Sequence, residues 1–153
     1  MKKYIFFTAF IFALISNSKA QDYQNAVGIR LGPSYGLTIK HFITTNDAVE
    51  GILTTRWGGF NLTGLFERHS KAFETDGLYF YYGGGAHIGS FNNSWFNDNI
   101  NHMVIGIDGI LGVEYVFPDV PFNASIDWKP GFNLIGYSGF WADELALSIR
   151  YIF

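Results

Sequence analysis

The chain has 153 residues, 48% hydrophobic, 19% aromatic and only 15% charged, with 18 glycines, no cysteine and a formal net charge of −3. So many rings exclude a disordered chain, and an acidic balance leaves no basic patch to neutralise phosphates, so nucleic acid is not an expected partner. Without cysteine there are no disulfides, thiol nucleophiles or zinc-thiolate sites.

The amino terminus reads as a targeting segment. Lys2 and Lys3 precede an apolar run from Tyr4 to Ile15, and the small residues Ser18 and Ala20 sit at the −3 and −1 positions of a cleavage site after Ala20. The apolar run is too short for a membrane helix, which needs about 20 residues. Residues 1–20 are therefore expected to be a signal peptide and residues 21–153 a single exported domain. No later stretch is long and apolar enough for a spanning helix.

Beyond residue 20 the chain alternates with period two, as strands with two unlike faces do. Eight strands are expected: Ala26 to Gly32, Leu37 to Ile43, Val49 to Trp57, Phe60 to Arg68, Leu78 to Phe91, His102 to Phe117, Phe122 to Leu134, and a last one ending Leu145-x-Leu147-x-Ile149-x-Tyr151-x-Phe153. Gly32-Pro33-Ser34, Thr44 to Asp47, Gly58-Gly59, Ser70 to Gly77, Asn92 to Asn101, Pro118 to Pro121 and Gly136 to Asp143 supply the turn chemistry between them. The polar faces carry Arg30, Lys40, Arg56, Lys129 and Arg150 against Glu50, Glu67, Asp108, Glu114 and Asp127, interleaved with glycine, serine and threonine. The opposite faces carry the rings and aliphatic residues and are expected to hold no charge, only His41.

A water-washed face would hold many lysines and glutamates. Few charges in equal numbers read instead as an enclosed, paired network, with Tyr79, Tyr81 and Ile110 filling the space between. Glycines on that face leave room for large neighbours in a narrow barrel. The aromatic residues crowd toward strand ends on the other face, as in the girdles of membrane barrels. The expected fold is all-β: an eight-stranded antiparallel up-and-down transmembrane barrel, monomeric, whose partner is outer-membrane lipid. Of the connections, Phe91 to Asn101 and Gly136 to Asp143 are the candidate outward loops.

The ending resembles the assembly signal of Gram-negative outer-membrane barrels, formed here by Leu145, Leu147, Ile149, Tyr151 and Phe153. The mature chain as a whole resembles the small OmpA/OmpX-type barrels. It is similar to a group of short outer-membrane proteins with Gly36-Leu37-Thr38-Ile39-Lys40-His41-Phe42, Arg56-Trp57-Gly58-Gly59-Phe60 and Asp127-Trp128-Lys129-Pro130. The resemblance implies localisation in the cell outer membrane and recognition by its assembly machinery.

Chemistry is sparse. No histidine pair has metal-site spacing; His87, beside Asp108 or Glu114, is the histidine to watch, and His69 and His102 fall near strand ends. Gly83-Gly84-Gly85 lies within a strand pattern and opens no helix, so it reads as close packing. No cofactor, metal or catalytic residue is expected, and the functional expectation is a non-enzymatic structural or adhesive barrel. Two other readings stay open: a soluble periplasmic barrel holding a small apolar ligand, with the rings turned inward, and a lipid-modifying enzyme with a serine and a histidine paired at the outer rim.

Overall fold

The computed structural model describes residues 23–56, 58–91, 102–136 and 139–153. The expected signal peptide and its cleavage site, Trp57, the segment 92–101, and Tyr137 and Ser138 lie outside these residues.

Ten hydrogen-bonded segments form one closed antiparallel sheet. They are β1 (Asn25–Leu31), β2 (Tyr35–Phe42), β3 (Asp47–Arg56), β4 (Gly59–Lys71), β5 (Leu78–Phe91), β6 (His102–Val116), β7 (Phe122–Trp128), β8 (Gly131–Ile135), β9 (Gly139–Trp141) and β10 (Leu145–Ile152). Consecutive strands pair from β1 through β7, and β1 pairs with β10 through Ala26↔Ile152 to Leu31↔Leu147, which closes the ring. β7 and β8 both lie along β6 and are one wall strand in two pieces; β9 and β10 likewise make up the eighth. The fold is therefore an eight-stranded antiparallel up-and-down barrel.

The expected seventh strand runs unbroken from Phe122 to Leu134, whereas the structure interrupts it at Lys129-Pro130. Proline cannot donate to the ladder. Here its carbonyl still accepts from the Gly109 amide at 2.9 Å, and the Lys129 amide donates to the Glu144 carbonyl at 2.9 Å. The wall bends without opening. A second difference is β9, which lies inside the stretch expected to be an outward loop and extends the wall beyond the break at Ala142 to Glu144. A third is β4, which runs three residues past Arg68, so the connection to β5 shrinks to six residues, Ala72 to Gly77.

The start of β1 and the end of the described chain meet at one end of the barrel, its terminal end, where Asn25 and Phe153 exchange backbone hydrogen bonds of 3.0 and 2.9 Å. Alternation along every strand then fixes what faces in and what faces out. Inside, Ile52, Leu65, Tyr81 and Ile110 form a small apolar cluster at mid-height. Among the described residues 33 large hydrophobic side chains are exposed, most of them on the outside of the wall, from Val27 on β1 to Phe153 after β10.

Two glycines show how narrow the lumen is. A Cβ on Gly112 would stand 2.6 Å from both the Asp127 Cβ and the Tyr81 Cζ, so the absence of a side chain is what lets Tyr81 reach across. A Cβ on Gly85 would strike the Gly64 backbone on the neighbouring strand, while one on Gly64, which faces out, meets nothing within 4 Å. Gly85→Ala is therefore expected to destabilise the barrel by about 1–3 kcal/mol, as overpacking does. Gly64→Ala should leave the urea unfolding midpoint within the spread of a surface substitution.

Candidate functional site: the charged lumen

Nine of the ten residues expected to form an interior charge network are buried inside the barrel: Arg30, Lys40, Glu50, Glu67, Asp108, Glu114, Asp127, Lys129 and Arg150. Period-two alternation aims each of them inward. Arg56 is the exception. It lies at the rim away from the chain termini, where its Nη2 donates to Asp143 Oδ2 at 2.6 Å beside solvent, because β3 ends there and its side chain emerges from the lumen.

Three groups of contacts stack along the barrel axis. Nearest the termini, Lys40 Nζ sits among three carboxylates: Glu67 Oε2 at 2.8 Å, and Glu50 Oε2 and Glu114 Oε2 each at 3.4 Å. Arg150 joins the same group, donating from Nη2 to Glu50 Oε1 at 2.5 Å and from Nη1 to Ser125 Oγ at 2.8 Å. Thr38 donates to Glu50 as well. At mid-height Arg30 forks onto Asp127 with bonds of 2.9 and 2.5 Å, and Tyr81 donates to the same carboxylate at 2.8 Å. Toward the far end Lys129 Nζ bridges Asp108 at 3.3 Å and Glu144 at 3.2 Å.

Several residues join that the sequence reading placed elsewhere or left out. Glu144 is buried, holding both Lys129 and Ser34 Oγ, the latter at 2.5 Å. His69, expected near a strand end, is buried because β4 continues past it; its Nε2 lies 3.1 Å from Glu67 and its ring stacks on Tyr81 at 4.9 Å. His87 is held between Asp108 Oδ2 at 2.7 Å and Asn133 Oδ1 at 2.8 Å, with the Trp141 ring 5.1 Å away. On the outer face Arg68 and Asp47 form an ion pair at the terminal rim, where the expectation had only His41.

The terminal end is closed by rings. Tyr23, which precedes β1, turns into the lumen, donates to Glu114 at 2.6 Å and packs edge-on against Phe42 at 5.2 Å. Phe42 then meets His69 at 4.9 Å, and Lys40 lies 4.4 Å over the Tyr81 ring. Burial, with the Glu114 carboxylate alongside, pushes the Tyr23 phenol up from its ordinary range.

Two of the residue sets singled out for chemistry can be placed. The side-chain partners of His41, His69 and His87 are Asn25, Glu67, and Asp108 with Asn133, and no serine–histidine hydrogen bond occurs among the described residues. Among those residues no group of three metal-ligating side chains is arranged to hold an ion. The side chains that would mark a ligand-binding interior if turned inward, Trp128, Phe132, Ile149 and Tyr151, are exposed on the outer wall.

Fold and site together define a closed β-barrel whose polarity is inverted, with ion pairs inside and apolar side chains outside. Among solved structures the chain is similar to the N-terminal β-barrel domain of OprF from Pseudomonas aeruginosa, with a TM-score of 0.66 and 18% identity over 86% of this chain and all of that one. No family model and no curated protein matches the sequence.

Breaking one half of a buried pair strands the other. Asp127→Ala should destabilise the barrel by about 3–5 kcal/mol, since Arg30 is left charged and unpaired. The double variant Arg30→Met, Asp127→Leu should recover most of that loss in the same denaturant titration.

Proposed function

We propose that the protein is an integral outer-membrane β-barrel of a Gram-negative envelope, monomeric and non-enzymatic, with a structural or adhesive role. The observation that carries this reading is the outer wall. The outward positions of β1, β2, β5, β6, β7, β8 and β10 hold no Asp, Glu, Lys or Arg, while most of the large side chains among them are exposed. Soluble monomers rarely expose apolar patches beyond a few hundred Å², and lipid is the solvent that such a wall fits. Closure supplies what a bilayer demands of the backbone along the wall, because every strand except the three-residue β9 has a partner on both sides.

Rings gather at the terminal end as an interfacial girdle would. Tyr115 and Phe117 pack at 5.2 Å, Phe122 and Tyr151 at 5.6 Å, and Tyr151 and Phe153 at 6.0 Å. In the proposed orientation this end is periplasmic, and the far rim with Arg56 and Asp143 faces outward. The likeness to the N-terminal β-barrel domain of OprF supports the closed-barrel fold on which this placement rests. An eight-stranded barrel has an interior only wide enough for side chains, and here they fill it with ion pairs. The reading is thus of a filled barrel that acts through its rims and loops, not of a diffusion pore. The last strand, with Leu145, Leu147, Ile149 and Tyr151 exposed on one face and Phe153 after it, would be the segment the assembly machinery recognises.

Detergent phase separation of cells expressing the protein tests the reading: the chain should enter the detergent phase with the envelope fraction, and recovery in the aqueous phase would favour the soluble ligand-binding barrel. Phe153→Ser separates wall from signal. It should lower the amount inserted in cells several-fold while refolding in detergent micelles proceeds as in the parent.

A further inference from the structure

The buried charges do not balance. Among the described residues the lumen holds four permanent cations, Arg30, Lys40, Lys129 and Arg150, against six carboxylates, Glu50, Glu67, Asp108, Glu114, Asp127 and Glu144. Arg30 and Asp127 cancel. The surplus therefore divides evenly between the two ends. Lys40 and Arg150 face Glu50, Glu67 and Glu114, and Lys129 faces Asp108 and Glu144. Each end is one positive charge short among side chains that are almost wholly buried, where an uncompensated charge is expensive.

Each end also contains a group positioned to take a proton. At the terminal end Glu67 Oε1 is buried without a hydrogen-bond partner and Glu50 Oε2 has only the Lys40 ammonium, at 3.4 Å, while the same ammonium holds Glu67 Oε2 at 2.8 Å, so the two carboxyls flank one cation. Two carboxylates cannot hydrogen-bond to one another, but one proton between them satisfies both oxygens. The other groups facing this pair are Thr38 and Lys40 on β2, His69 on β4, Tyr81 on β5, Glu114 on β6, Ser125 on β7, Arg150 on β10, and Tyr23. At the far end His87 lies between the acceptors Asp108 Oδ2 and Asn133 Oδ1, an arrangement satisfied when both ring nitrogens carry hydrogen. Lys129, Glu144 and Trp141 complete its surroundings.

We propose that the folded barrel holds two bound protons at neutral pH, one shared by Glu50 and Glu67 and one making His87 an imidazolium, and that these complete the charge balance of its lumen. The inference goes beyond the proposed function and does not depend on what the outer wall meets. Its consequence is a barrel responsive to alkali. An unfolded chain holds neither proton at pH 8, so the folded state binds two more, and the folding constant falls as pH rises. With both protons retained the fall is about a hundredfold per pH unit.

The direct test is proton release. The purified protein in detergent micelles, unfolded by urea at pH 8 in weakly buffered solution with an indicator dye, should release two protons per chain. Release of one or none overturns the proposal. Glu67→Gln leaves two carboxylates against Lys40 and Arg150, and Asp108→Asn leaves Glu144 alone against Lys129. Each variant should release one proton fewer, and an unchanged count in a folded variant also overturns the assignment. If either variant does not fold, the release measured on the parent protein decides by itself.

Discussion

Everything inside this barrel follows from one constraint: eight strands enclose a lumen too narrow for bulk water, so each ionised group must be neutralised by another side chain. Lys40 meets three carboxylates, Arg150 shares two of them, and Arg30 and Asp127 hold each other in a fork. Such pairs return little net stability after desolvation. What they supply is specificity: a strand shifted by one residue would move its charges to the outer wall and its aliphatic side chains into the ion pairs. Register and electrostatics thus enforce each other.

The glycines serve the same constraint from the side of volume. Gly112 gives way to Tyr81 so that its hydroxyl can reach Asp127. Gly106 gives way to His87, whose Cε1 would press on any Cβ placed there, and Gly131 to Asp108 and Trp141. A greasy, aromatic, glycine-rich composition is therefore divided three ways: the apolar side chains clothe the outside, the small residues line the inside, and the few charges pair across the space that those small residues leave.

The barrel was legible in the sequence because its two faces differ in chemistry at every second residue, and nine inward charges could be placed from that alternation alone. Other features needed partners in space. Pro130 was legible as a residue but not as a break, since the wall's continuity there depends on the Gly109 and Glu144 backbones. β9 was missed because three residues are too few to show a period. His69 was placed at a strand end because the apolar pattern of β4 fades at Arg68, although hydrogen bonding to β5 continues to Lys71. Arg56 has the right parity for the lumen but the wrong height, and Glu144 has both. Parity is written in sequence, whereas height along a tilted barrel is set by the stagger between strands. The count of five cations against five anions failed for this reason, and correcting it exposed the shortage of positive charge at each end.

The inverted wall can be tested residue by residue, because the chain has no native cysteine. Single cysteines at Ala146, Leu147, Ser148 and Ile149 on β10, spin-labelled in protein reconstituted into liposomes, report their access to oxygen, which concentrates in lipid, and to a water-soluble nickel complex. Labels at positions 147 and 149 should collide with oxygen and be shielded from nickel, while those at 146 and 148 should be shielded from both. Strong nickel access at 147 and 149 would contradict a lipid-facing wall.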